Sequence, residues 1–213
     1  MVTTMKTYEV KILTSANINW ESLITANIDN YPWNGGTGPA AGAQLAYVKS
    51  GDESEGIYSH IWCCESNPEA RYSSHNDPVY LDNCLEFFFT MNAPGKDPNG
   101  YINIESNSNP TTLIAYGTNR FDRTPIVDMK IKPFTVRVKK TAERWDLYEF
   151  VPFSALKSVF GINEVNASTF FAGNFYKCGG YYGPSYYGTW APINTPKPDY
   201  HRPDKFGRFI LVD

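Results

Sequence analysis

Charge is scarce in this sequence. Asp, Glu, Lys and Arg make up only 19% of the 213 residues, below the roughly 25% of an average soluble domain. Nineteen basic residues stand against 22 acidic ones, for a net charge of −3, so no chain-wide positive field exists to hold a nucleic acid or an anionic membrane, and neither is expected as a partner. Histidines number three, His60, His75 and His201, too scattered for a metal or nucleophile constellation, and each reads as a surface or packing residue. No GxSxG, HExxH, Walker or GxGxxG segment is present, so no catalytic residue and no metal ligand is nominated by motif. The four cysteines, Cys63, Cys64, Cys84 and Cys178, form no CxxC, and the adjacent pair would bridge only with strain. Buried free thiols are expected, with Cys84–Cys178 the one long-range bridge open to an exported chain. No apolar run of about 18 residues occurs, so no helical membrane span is expected. The opening MVTTMKTYEVKIL lacks an apolar run of signal-peptide length. This favours a cytoplasmic location, or a secreted one if a leader has been trimmed.

Aromatics, by contrast, are abundant at 15%, with 15 Tyr, 13 Phe and 5 Trp, and 16 Gly and 15 Pro punctuate the chain without a period. That combination favours many short strands. Strand patterns fall at Tyr8–Leu13, Gln44–Lys49, Gly56–Cys64, Asn83–Met91, Tyr101–Asn107, Thr112–Tyr116, Phe134–Lys140, Trp145–Val151, Thr169–Lys177 and Gly207–Val212. Two short helices are predicted, Trp20–Ala26 with Asn19 as its cap and Phe153–Phe160 ended by Gly161. No repeat or long linker divides the chain. The expected fold is all-β, a single-domain β-sandwich over residues 1–213 of mainly antiparallel strands with one or two short helices. The loops Gly51–Glu55 and Lys96–Gly100 carry oxygen donors that would suit a structural Ca²⁺, although turn chemistry alone accounts for them and no other cofactor is implied.

Because successive strand side chains alternate between faces, Leu85, Phe87 and Phe89 should point into the core and Glu86 away from it. Likewise Ile102 and Ile104 point inward, leaving Tyr101, Asn103 and Glu105 together on the outer face. Asn174 and Tyr176 share one face of the late strand, with Phe171 and Phe175 on the other. Pyranose rings present C–H faces that stack on aromatics and hydroxyls that need paired donors and acceptors, so a surface rich in Tyr, Trp, Asn and a few carboxylates suits carbohydrate.

The run Asn76-Asp77-Pro78-Val79-Tyr80-Leu81-Asp82-Asn83-Cys84-Leu85-Glu86-Phe87-Phe88 resembles the segment of family 9 carbohydrate-binding modules in which an aromatic precedes Asp-Ser-x-Val-Glu-Phe-Phe. Further segments agree in order, among them Tyr31-Pro32-Trp33, Tyr101-Ile102-Asn103-Ile104-Glu105, Asn174-Phe175-Tyr176-Lys177-Cys178 and Trp190-Ala191-Pro192 followed by His201-Arg202-Pro203. The resemblance runs over nearly the whole chain and is closest to stand-alone members associated with xylanases and endoglucanases. It implies a β-sandwich that binds an oligosaccharide or plant-type polysaccharide such as xylan, in some members at chain ends, in carbohydrate catabolism. On motif match, Glu86 is the hydroxyl-binding carboxylate, Tyr80 one aromatic of a ring-holding pair, Asn174 the late amide and Trp190 the late aromatic. Asn103, Glu105 and Tyr176 complete the candidate ligand-binding set. Where sugar-end binders carry an Arg in an aromatic-Arg-aliphatic-Asn segment, this chain reads Tyr101-Ile102-Asn103, which leaves Arg120 as the candidate cation.

Two other readings remain open on the residues alone. One is a glycoside hydrolase using Glu86 and Glu105 as its carboxyl pair. The other is a protein-interaction sandwich without a sugar site. Oligomeric state is not encoded in any recognisable pattern.

Overall fold

The computed structural model describes residues 5–93, 100–180 and 185–213. Its strands are β1 (Thr7–Leu13), β2 (Ala26–Asn27), β3 (Ala41–Val48), β4 (Gly56–Cys63), β5 (Cys84–Asn92), β6 (Tyr101–Asn107), β7 (Thr112–Gly117), β8 (Arg123–Pro125), β9 (Thr135–Lys140), β10 (Trp145–Pro152), β11 (Phe170–Cys178), β12 (Gly188–Thr189) and β13 (Gly207–Val212), with one α-helix, α1 (Phe153–Phe160), between β10 and β11. The expected all-β sandwich is the observed fold, and all ten sequence-derived strands are present. The sandwich is a single sheet, ordered β8-β7-β6-β5-β11-β13-β1-β3-β4-β10-β9, curled so that its two halves face one another. Most neighbours are antiparallel. The exception is β1, which pairs in parallel with β13 on one side and β3 on the other.

Between the halves lies one core, with Leu85, Phe87, Phe89, Ile102 and Ile104 from one side meeting Leu45, Tyr47, Ile57, Ile61, Trp145 and Leu147 from the other. Phe87 stacks on both Phe89 and Phe175 at 4.8 Å between ring centres. The outer face of β5, β6 and β11 is also covered. Phe88, Tyr101 and Tyr176 pack there against Val79, Ile193, Tyr200 and Phe206 in a second apolar cluster, so the segments before β5 and after β12 roof part of the face that carries Glu86.

Helix α1 ends as expected, with Gly161 in the left-handed region at φ 66° and its N–H on the Lys157 carbonyl. The other predicted helix does not form. Trp20–Ser22 makes a single 3₁₀ turn, the Asn19 side chain makes no capping bond, and the chain turns extended at Leu23. The cause is tertiary: Gln44 Nε2, from β3, donates to the Trp20 and Leu23 carbonyls, Tyr8 donates to the Ile24 carbonyl, and Ala26–Asn27 then pairs with β3.

All four cysteines are free thiols, three of them buried and Cys64 exposed. Cys84 and Cys178 face each other in register across β5 and β11 without bridging. In the Gly51–Glu55 loop, Asp52 Oδ1 accepts from Ser50 Oγ and from Ser54 N and Oγ, which is turn chemistry. Residues 96–99 of the second loop lie outside the described residues. Among the described residues no group of three or more His, Cys, Asp or Glu is placed to hold a metal ion, and no helix is long and apolar enough to cross a membrane.

Candidate functional site

The outer faces of β5 and β6 open into a cleft of about 640 Å³, lined by Tyr80, Glu86, Phe88, Asn103, Glu105, Arg120, Arg123, Tyr187, Tyr200 and His201 among others. Its floor follows from strand parity: Glu86 and Glu105 are direct cross-strand partners, as are Phe88 and Asn103, so all four project to the same side. Asn103 Nδ2 donates to Glu105 Oε1 at 2.9 Å. Glu105 Oε2 is buried and has no hydrogen-bond partner among the described residues.

A cation the sequence candidates did not include reaches this floor from β8, which pairs with β7: Arg123. Its guanidinium donates to Asn103 Oδ1, to the Tyr101 and Ala115 carbonyls at 3.1 and 3.0 Å and to the Gly117 carbonyl. It lies 4.1 Å from the centre of the Tyr101 ring. Its Nε is a second buried polar atom without a hydrogen-bond partner among the described residues. Arg120, the sequence candidate, stands at the rim in an ion pair with Asp199 at 2.9 Å.

Two carboxyls facing each other in a buried floor cannot both ionise cheaply. Burial, then the charge of Glu105, pushes the Glu86 carboxyl well above the usual carboxylate range. Burial likewise raises Glu105, against the opposing pull of the Asn103 amide and Arg123. The pair therefore favours a shared proton, with the Arg123 guanidinium held nearby on Asn103. This alternation of donor and acceptor fits adjacent hydroxyls. His201, which shares a 2.8 Å hydrogen bond with the Tyr101 hydroxyl, is lowered to about 4 by burial and by Arg123 and Arg120, so its imidazole is neutral near pH 7.

Of the eight sequence candidates, Tyr80, Glu86, Asn103, Glu105 and Arg120 come together on this cleft. Tyr80 is 47% exposed in the single turn Val79–Leu81. Three candidates are placed elsewhere. Trp190 lies in the core, stacked on Phe209 at 5.3 Å and edge-on to Tyr8. The Asn174 amide is consumed by the Ala191 backbone, donating to its carbonyl and accepting from its N–H, which pins the Trp190 segment to β11. Tyr176 sits behind the cleft wall, stacked on Tyr200 at 4.1 Å and donating to its carbonyl. Besides Phe88 and His201, Tyr187 and Tyr200 line the cleft with Tyr80, and neither these two tyrosines nor Arg123 had a local signal: Tyr187 falls in a Gly- and Tyr-rich loop, and Arg123 opens a three-residue strand containing Pro.

A family model for carbohydrate-binding family 9 matches residues 8–211. The chain belongs to that family. Its members are non-catalytic modules that bind carbohydrate. Among solved structures, the chain is similar to a candidate carbohydrate-binding protein from Bacteroides uniformis, with a TM-score of 0.79 and 22% identity over 98% of this chain and 100% of that one. It is also similar to a family 9 module from Caldicellulosiruptor kristjanssonii in complex with glucose, with a TM-score of 0.64 and 13% identity over 97% and 96% of the two chains. The same module in complex with cellotriose gives 0.64 and 14% over 97% and 93%. No curated protein matches the chain.

For a family 9 chain a Glu86/Glu105 hydrolase is the wrong reading, because the family's members bind carbohydrate without cleaving it.

Proposed function

We propose that the cleft binds an oligosaccharide, or the end of a polysaccharide chain, with one sugar ring held between Tyr80 and Tyr187. In this reading the ring hydroxyls are bound by Glu86, Asn103, Glu105 and Arg123, while Arg120 and His201 act at the rim. The observation that carries the reading is the pair of unsatisfied buried atoms, Glu105 Oε2 and Arg123 Nε, in two residues of the same cleft wall. A buried polar atom left unpaired costs about 1–3 kcal/mol, and a ligand hydroxyl that accepts from one and donates to the other relieves both costs. The cleft volume lies within the range of about 300–1,000 Å³ typical of small-ligand sites. The glucose and cellotriose complexes of the similar module favour a glucose-based ligand as the first to try.

Calorimetric titration with glucose, cello-oligosaccharides and xylo-oligosaccharides tests the proposal. A hydrogen bond to a charged group contributes about 1.5–3 kcal/mol, so Glu105→Gln should weaken the best ligand by about tenfold or more without lowering Tm. Affinity indifferent to Glu105→Gln, or no binding of any neutral saccharide, would sink it.

A further inference from the structure

The opposite edge of the sheet carries chemistry that the cleft does not use. Residues 129–142 hold Lys130, Lys132, Arg137, Lys139 and Lys140, five of the chain's 19 basic residues and none of its 22 acidic ones. All five are exposed. None enters an ion pair among the described residues, whereas Lys49, Arg71, Arg120, Arg144 and Arg202 each do. Lys140 donates to Asn109 Oδ1 at 3.3 Å, a neutral partner.

Alternation along β9 turns Val136 and Val138 toward the core and Arg137 and Lys139 outward. The register agrees, since Arg137 faces Tyr148 and Lys139 faces Asp146 on β10. That outer face lies on the side of the sandwich away from the cleft. Its rings are already occupied with each other: Tyr58 stacks on Phe150 at 4.6 Å and His60 on Tyr148 at 4.5 Å. Asp146 is committed to His60 and Arg144. What remains for a partner is a row of cations without an ion pair among the described residues, on the strand that ends the sheet order.

We propose that this cationic edge binds an acidic polysaccharide, one bearing uronate groups, while the cleft on the other side takes neutral sugar. The proposal rests on the carbohydrate-binding reading of the chain. Charge decides against the rival polyanion. Duplex nucleic acid carries a negative charge about every 1.7 Å, and the rest of this molecule is more acidic than its net −3, so it repels such a ligand. Single-stranded nucleic acid also needs free ring faces for its bases, and the rings here face one another. A polyuronate, with no more than one carboxylate per sugar ring, needs only the local row.

The test is affinity electrophoresis of the full chain in gels containing polygalacturonate, with neutral hydroxyethylcellulose and a single-stranded oligonucleotide as comparisons, at rising salt. The wild type should be retarded by polygalacturonate at low salt, and the retardation should fade as salt rises. Arg137→Glu with Lys139→Glu should cut affinity about tenfold or more, and the Gln pair less. Both should leave Tm and cello-oligosaccharide binding unchanged. Polygalacturonate binding that depends on these two residues, without any neutral sugar binding, would uphold the edge and refute the cleft. Absence of retardation, or retardation equal in the charge-reversed protein, overturns the proposal. So does tighter binding of the oligonucleotide. Self-association of the reversed protein without any polyuronate binding by the wild type would instead assign these charges to blocking strand pairing at the edge.

Discussion

Replacing Glu149 by Gln should stabilise the protein above neutral pH and change it little in mild acid. Glu149 is on the core face of β10, between Leu147 and Val151, and is 3% exposed. Ser59 Oγ donates to its Oε2 at 2.7 Å and Ser106 Oγ, from the facing half of the sheet, to its Oε1 at 3.4 Å. Among the described residues no cation pairs with it. Burial therefore pushes its carboxyl from 4.5 up to about 7, the two hydroxyls opposing the rise only in part. The folded state binds this proton more tightly than the unfolded chain, so the stability it confers is complete below about pH 4.5 and is lost as pH rises through about 7. At about 1.4 kcal/mol per tenfold, the loss amounts to about 3 kcal/mol. Glutamine keeps the shape, retains hydrogen bonding to both serines and has no charge to bury. Urea unfolding of both proteins at about pH 5 and about pH 8.5 should show the variant ahead by about 3 kcal/mol at the higher pH only, or by about 6–12 °C in Tm for a chain of this size. The other buried carboxyls among the described residues, Asp82, Glu86, Glu105 and Asp146, are common to both proteins and cancel in this difference. A difference that stays flat across the range would mean that Glu149 ionises as in water, and the argument from burial would fail.

Tyr80→Ala and Trp190→Ala should separate binding from folding. The first removes an exposed ring and should weaken sugar binding about tenfold, at 1 kcal/mol or more for an aromatic contact, with Tm held. The second should cost about 3–5 kcal/mol of stability, and any loss of affinity should track loss of fold. Thiol titration of the native protein with a disulfide reagent should detect Cys64 alone, since Cys63, Cys84 and Cys178 are buried and burial raises all three thiols. All four should react in denaturant, and prompt reaction of a second thiol in the native state would contradict the packing around β5 and β11.

What the sequence determined by itself is whatever repeats locally. A two-residue period states which side of a strand is apolar, so the inward Leu85, Phe87, Phe89, Ile102 and Ile104 and the shared face of Glu86, Asn103 and Glu105 are legible in the sequence. The left-handed stop at Gly161 was legible for the same reason, being a property of one residue and the turn before it. The parts decided only in three dimensions have no such period. Trp20–Ala26 reads as a helix until Gln44 and Tyr8, far along the chain in one direction or the other, take its carbonyls. Trp190 and Tyr187 are both aromatic and three residues apart, yet one is drawn into the core by Phe209 and the Asn174 latch and the other lines the cleft. Arg123 reaches Asn103 on β6 because β8 runs alongside β7, and β1 lies parallel to both of its neighbours. Each of these depends on contacts between residues distant in sequence, where pattern is silent and the closing of the sheet decides.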